Sequence, residues 1–245
     1  MFEALAWGLL AAASLLLGAL LAARRPPHKR TLGLIMAFGS GVLVSAVSFE
    51  LIEEAADMGG NTASILVGLL TGAAVFTFGD ILIGRFERRR RGQPMLEPGG
   101  EAGGLPILLG ALLDGVPETA VLGLSVLQTG GVGRAMMAAV FISNLPEGIA
   151  ATTALIEAGW RRSTVVGIWS AVVALCALAA GLGYALLDGA SIDLLAFVYS
   201  FSGGAVLTML AISMIPEAYE RAGRPVGFVT AAGFIAAYAV HLSDG

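Results

Sequence analysis

The sequence predicts an all-α integral membrane protein of eight transmembrane helices in a 3+2+3 inverted-repeat arrangement. Three observations predict it. First, 57% of the 245 residues are hydrophobic and only 13% are charged, about half the charge of a soluble domain, and mean hydropathy is +0.84. Second, eight apolar stretches of roughly 20 residues, the length needed to cross a bilayer, alternate with short polar breaks. Third, two of those stretches repeat each other at a constant offset of 163 residues.

The expected spans are 4–23, 31–55, 62–84, 105–128, 133–157, 164–187, 193–216 and 225–242. Together they form one transporter-like domain over 1–245: helices 1–3 over 4–84, a loop over 85–104, helices 4–5 over 105–157 and helices 6–8 over 164–242. The first span resembles a signal peptide in composition, but Glu3 precedes it and Arg24 and Arg25 follow it, the reverse of a signal's charge order. It is therefore read as a retained helix with its N-terminus outside. The stretch RFERRRRGQPMLEPGGEAGG is the only long break, and its composition predicts a flexible loop.

Charge sets the orientation. The breaks after helices 1, 3, 5 and 7 hold thirteen of the fourteen Lys and Arg residues, with Arg134 on the other side. The positive-inside rule makes those breaks cytoplasmic and puts both termini outside. The Arg88–Arg91 run is read as this anchor, and no nucleic-acid partner is expected. One cysteine, Cys176, and two histidines, His28 and His241, exclude a disulfide and a thiolate or imidazole cluster within the chain. No enzymatic activity and no resident cofactor are expected.

Two repeats organise the chain. FGSGVLVSAVSFELIEEA (38–55) in helix 2 aligns with FSGGAVLTMLAISMIPEA (201–218) in helix 7. Helix 2 would run outward and helix 7 inward, so the units 1–3 and 6–8 are related by inverted topology, as in many secondary transporters. Helices 4 and 5 carry their own repeat: Asp114-Gly115-Val116-Pro117-Glu118 and Ser143-Asn144-Leu145-Pro146-Glu147. In each, the acid follows a proline that lacks an N–H and frees a carbonyl one turn back, that of Leu113 or Ile142. Asp114 and Glu118 are four apart and share a helix face, as do Ser143 and Glu147. An acid at a helix centre costs about 2.5–3.5 kcal/mol on insertion scales, and the neighbouring spans offer no Lys, Arg or His as a partner. Protonated carboxyls bonded between two kinked helices would satisfy the acids. So would a divalent cation in an all-oxygen cage of Asp114, Glu118, Ser143, Asn144 and Glu147, and the matched prolines favour the cation.

Other acids lie toward the ends. Glu50, Glu53, Glu54 and Asp57 close helix 2 outside, and Glu217 and Glu220 close helix 7 inside. Helix-end acids are commonly solvated, and their placement at opposite mouths also suits collecting cations. Asp80 is expected to be buried in helix 3 as a proton-handling or supporting group. Gly68 and Gly72 form GxxxG, a close-packing signal.

These residues together resemble the ZIP family of divalent metal transporters, whose prokaryotic members carry His-Asn-x-Pro-Glu-Gly in both central helices. The resemblance covers essentially the whole chain: the 3+2+3 order, the basic third cytoplasmic loop, Ser143–Gly148, Asp114–Thr119, and the pairs Glu53-Glu54-Ala55 and Pro216-Glu217-Ala218. It implies zinc, iron, manganese or a similar ion as cargo, moved toward the cytoplasm through a binuclear site between helices 4, 5 and 6. By position, Asp114, Glu118 and Glu147 would be ligands and Asn144 would belong to the second metal position. The chain departs from the pattern where Asp114 and Ser143 replace histidines and Gly115 replaces an asparagine. Helix 6 offers no acid either, and Ser170 is its nearest polar group. One site or two is therefore left open. Carboxylate and amide oxygens suit harder ions than imidazole does. The expected setting is a prokaryotic inner membrane, with divalent ions and the bilayer as partners and a homodimer allowed. The alternative is a transport-inactive, regulatory membrane protein on the same fold.

Overall fold

A computed structural model describes residues 1–91, 104–132, 134–157 and 159–244. Every regular element in it is helical. Eight helices follow in order: α1 (Phe2–Arg24), α2 (Lys29–Asp57), α3 (Thr62–Arg91), α4 (Gly104–Thr129), α5 (Arg134–Glu157), α6 (Arg162–Leu186), α7 (Ile192–Ala222) and α8 (Pro225–Asp244). Seven are long and apolar enough to cross a membrane; the apolar described stretch of α4, Gly115–Leu127, is shorter. One boundary is corrected. The helix of α3 continues through the basic run to Arg91, because Arg is a good helix former and no glycine or proline follows Gly84 until Gly92. The rest of the expected loop, 92–103, lies outside the described residues.

Helix ends follow local chemistry. His28 accepts a hydrogen bond from the Arg30 N–H at the start of α2, and Ser191 accepts one from the Leu194 N–H at the start of α7, each quieting an N–H that the first turn leaves open. The turn between α2 and α3 places Gly59 at φ 79°, a conformation glycine adopts without penalty. The Asn61 N–H that follows donates to Asp193 at 2.9 Å, tying this turn to the start of α7.

The helices sort by burial. The apolar window of α5 is 72% buried and that of α8 only 11%, so α5 is central and α8 peripheral. Leu66, Leu70 and Phe78 of α3 and Leu178, Leu182 and Leu186 of α6 face outward, an apolar exterior suited to lipid contact. α1 packs on α5 and α6, and α4 packs on α6. The third helix of each half crosses over: α3 packs on α7, and α8 packs on α2.

Glycines make these crossings close. A Cβ on Gly41 of α2 would strike the Thr230 carbonyl of α8, and one on Gly233 of α8 would strike the Phe38 carbonyl. Between α7 and α3, Gly204 meets the Leu69 carbonyl and Gly72 meets the Phe201 carbonyl. Gly68, the other half of the GxxxG signal, lies against Phe197 and Ser200 of α7. Phe38 and Phe201, and Gly41 and Gly204, are 163 residues apart, so the two crossings use the same helix positions. Gly18 and Gly148 join α1 to α5 in the same manner, and Gly123 and Gly183 join α4 to α6.

Both α2 and α7 contain a π-helical stretch, at Val47–Glu53 and at Leu210–Met214. The stretches begin 163 residues apart. In α7 a cause is visible: Pro216 follows at the next turn, and a widened turn removes the clash of its ring with the carbonyl one turn back. In α2 the matching residue is Glu53, so the widened turn there is held by packing rather than by proline.

Gly41→Ala, Gly72→Ala, Gly204→Ala and Gly233→Ala should each destabilise the protein by about 1–3 kcal/mol through overpacking. Gly167→Ala, where nothing lies within 4 Å, should be neutral or stabilising by up to about 1 kcal/mol. Thermal unfolding in detergent, followed by size-exclusion chromatography, separates the two sets; equal melting temperatures across them would refute the crossings as tight contacts.

Candidate functional site

The two central helices run through their prolines: Pro117 lies inside α4 and Pro146 inside α5. Around them the polar residues turn inward. Glu118 is 2% exposed and Glu147 is 8% exposed, so two carboxylates sit within the apolar bundle. Ser143 and Asn144 are equally buried. The Ser143 hydroxyl donates to the Val140 carbonyl at 3.0 Å, and the Thr119 hydroxyl to the Gly115 carbonyl at 2.6 Å. Asn144 is different: neither its amide oxygen nor its amide nitrogen has a hydrogen-bond partner among the described residues. A buried amide left so is costly, and its oxygen is free to accept from water or coordinate a cation.

Helices α2 and α7 close over this turn of α5. A Cβ on Gly39 would lie 3.1 Å from Met214 Cε, 3.3 Å from Pro146 Cγ and 3.6 Å from Ser143 Cα. Gly39 thus gives α5 room to carry its proline, and Met214, from the π stretch of α7, fills the remaining gap. On α4, Gly115 faces Cys176 of α6. That glycine stands where the family pattern has an asparagine, and a larger side chain would press on the thiol.

The side chain of Asp114 lies outside the described residues. Of the expected ligand set, Glu118, Ser143, Asn144 and Glu147 are described and all are buried. Among the described residues no group of three or more His, Cys, Asp or Glu side chains could hold a metal ion.

Two expectations are corrected. Asp80 is not buried: it is exposed on α3, a helix that turns mostly outward, with only 17% of its apolar window buried. Ser170 is exposed, donating to the Val166 carbonyl at 2.9 Å. The inward position of α6 is taken by its neighbour Trp169, which is fully buried. Asp80 and Ser170 therefore stand apart from the central turns.

The helix-end acids have partners. Glu217 accepts from Arg221 Nη2 at 2.6 Å and Nε at 2.9 Å, one turn along α7. Glu50 Oε1 lies 2.8 Å from His241 Nδ1 of α8. The π stretch of α2 carries both Glu50 and Phe49 to this contact, and Phe49 stacks on His241 with centroids 5.2 Å apart and on Tyr238 at 4.9 Å. Sequence reasoning set His241 aside because no second histidine or cysteine could join it. Only the α2–α8 crossing brings it to Glu50. Glu54 lies near Glu50 and Asp57 at the same mouth, and Tyr199 of α7 reaches this end and hydrogen-bonds with Ser125 of α4.

Compared with models of protein families and with curated proteins, the chain matches none.

The Glu50–His241 pair is half-buried, so its worth is modest. A double-mutant cycle of Glu50→Gln and His241→Gln should give a coupling of about 0.5–1 kcal/mol near pH 6 that shrinks in high salt. A coupling of zero by thermal or denaturant unfolding would mean the contact does not hold α8 to α2.

Proposed function

We propose that this protein is a divalent metal cation transporter, and that it is a divergent relative of the ZIP family without the motif histidines. Its helices would span the membrane in a 3+2+3 inverted-repeat order, with both termini outside a prokaryotic inner membrane. The observation that carries this reading is the pair of Pro-Glu turns on the two central helices. Glu118 and Glu147 are both buried there, in helices whose only Lys, Arg or His is Arg134 at the start of α5. A cation arriving between α4 and α5 would offset both charges and occupy the open amide oxygen of Asn144. Ser143 is buried with Glu147, and Asp114, by its four-residue spacing from Glu118, would complete an all-oxygen set. Such a set suits manganese and similar hard ions at least as well as zinc or iron.

The inverted order is supported by coincidences of position. The π stretches of α2 and α7, and the glycine crossings made by those helices, recur at the offset that aligns 38–55 with 201–218. A site between two inverted halves is reached from either side when the halves change their tilt. The Pro-Glu turns are placed for that exchange, because each proline leaves a carbonyl without its helical donor. The acids at the mouths, Glu50 and Glu54 on α2 and Glu217 on α7, would attract cations to the path. No chemical conversion is involved.

A second reading is a regulatory membrane protein on the same fold that binds no cargo. It is favoured by the departures from the family pattern: Asp114 and Ser143 stand where histidines would, and α6 carries no acid.

Uptake of manganese, zinc and iron into proteoliposomes tests the choice. Glu147→Gln and Glu118→Gln should each cut metal influx at least about tenfold while the folded protein still elutes as a single species. Wild-type vesicles that take up none of the three ions would refute transport and favour the regulatory reading.

A further inference from the structure

Hydroxyl side chains in apolar helices usually donate to the carbonyl one turn back, since hydrocarbon offers nothing else. Ser40, Ser48, Thr153 and Thr208 do so here. Ser202 of α7 does not, and neither do Thr152, Ser200 and Thr230; of these, Ser202 is the one whose position relates it to a Pro-Glu turn. It is 0% exposed, and its hydroxyl has no hydrogen-bond partner among the described residues.

The surroundings of α7 fix where Ser202 points. Phe197, Phe201 and Gly204 face α3. Gly203 faces the π stretch of α2, where a Cβ on it would lie 3.5 Å from Val47 Cγ1. Tyr199 reaches Ser125 of α4, and α7 packs on α4. Ser202 lies three residues after Tyr199, on the α4 face of the helix. Ser202 also stands 163 residues after Gly39, the residue of α2 that lies against Ser143 and Pro146 of α5. The equivalent place beside α4 is the turn of Asp114 and Pro117. The face of α7 sets this unpartnered buried hydroxyl toward α4, and the offset from Gly39 relates it to the second Pro-Glu turn.

We propose that Ser202 is a further oxygen donor to the cation carried between α4 and α5, giving its hydroxyl to the metal or to a water bound to it. The inference rests on the transporter reading and adds α7 to a site that the sequence assigned to the central helices alone. It also makes the two sides of the site unequal, since the matching residue on α2 is a glycine. A neutral oxygen at this point favours hard ions; a sulfur would favour soft ones.

The test exchanges oxygen for sulfur in the purified full-length chain. Cys176 is the only cysteine, so a Cys176→Ala background leaves one thiol. Manganese and cadmium are titrated by calorimetry into that parent and into Ser202→Cys, Ser202→Ala and Ser202→Thr. Ser200→Cys serves as control, because Ser200 packs toward Gly68 of α3. Ser202→Cys should bind cadmium about tenfold tighter than the parent and show a cadmium–thiolate absorption band. Ser202→Ala should lose manganese affinity and Ser202→Thr should retain it; Ser200→Cys should change neither. If Cys176→Ala does not fold, Ser202→Ala against Ser202→Thr in the native chain decides the matter with manganese alone. A parent that binds manganese, with all Ser202 variants unchanged, overturns the role of Ser202 and leaves the α4–α5 site standing. A folded parent that binds neither ion overturns both.

Discussion

Backbone contact through glycine is the constraint on which the rest of the structure depends. Between apolar helices in an apolar solvent there is no hydrophobic gain to be had from association, and close packing must supply it. Here it comes from crossings in which a glycine on one helix receives a carbonyl of the other: Gly41 and Gly233, Gly72 and Gly204, Gly18 and Gly148, Gly123 and Gly183. These pairs bind α8 to α2, α3 to α7, α5 to α1 and α6 to α4. With the outer helices so fixed, α5 is left in the centre of the bundle and α4 beside it, and polar side chains on both can be kept from lipid.

That enclosure sets the chemistry. Glu118 and Glu147 would be intolerable on the outward faces of α3 or α6, where leucine and phenylalanine stand. Inside, a proton or a cation that accompanies them lowers that cost. Asn144 and Ser202 add two neutral groups whose hydrogen-bonding capacity is unused by the described residues. A core meant only for stability would have been filled with leucine. Buried polar atoms left unsatisfied call for an explanation beyond packing, and a bound cation is the one proposed above.

Much of this was legible in the residues, and the limits have physical causes. Helix number and order could be read because lipid-facing and buried helices alike need an unbroken apolar run. The inward placement of Glu118, Ser143, Asn144 and Glu147 followed from their proline register. Facing direction was not legible for a helix that is apolar all round. Asp80 is therefore expected inside, and Ser170 stands as the nearest polar group of helix 6, yet α3 and α6 turn those faces outward. The Glu50–His241 contact escaped because it joins residues 191 positions apart, through a helix crossing that the sequence alone does not reveal. The widened turn of α7 had a visible sign in Pro216. The one in α2 had none except its alignment with α7.

The two widened turns also bear on how the halves have been kept alike. A π turn accommodates one residue beyond the α-helical pattern, and one residue turns the following helix by about 100°. Were the extra residue present in only one half, the offset between the halves would change by one at that point. It stays at 163 on both sides, from Phe38 and Phe201 before the turns to Ala55 and Ala218 after them. Both halves therefore hold the insertion in common. A single-residue deletion within 47–53 would leave the composition of α2 nearly untouched, yet it would swing Glu54 and Asp57 to a different azimuth. In this segment the number of residues, more than their type, sets where the acids that follow it point.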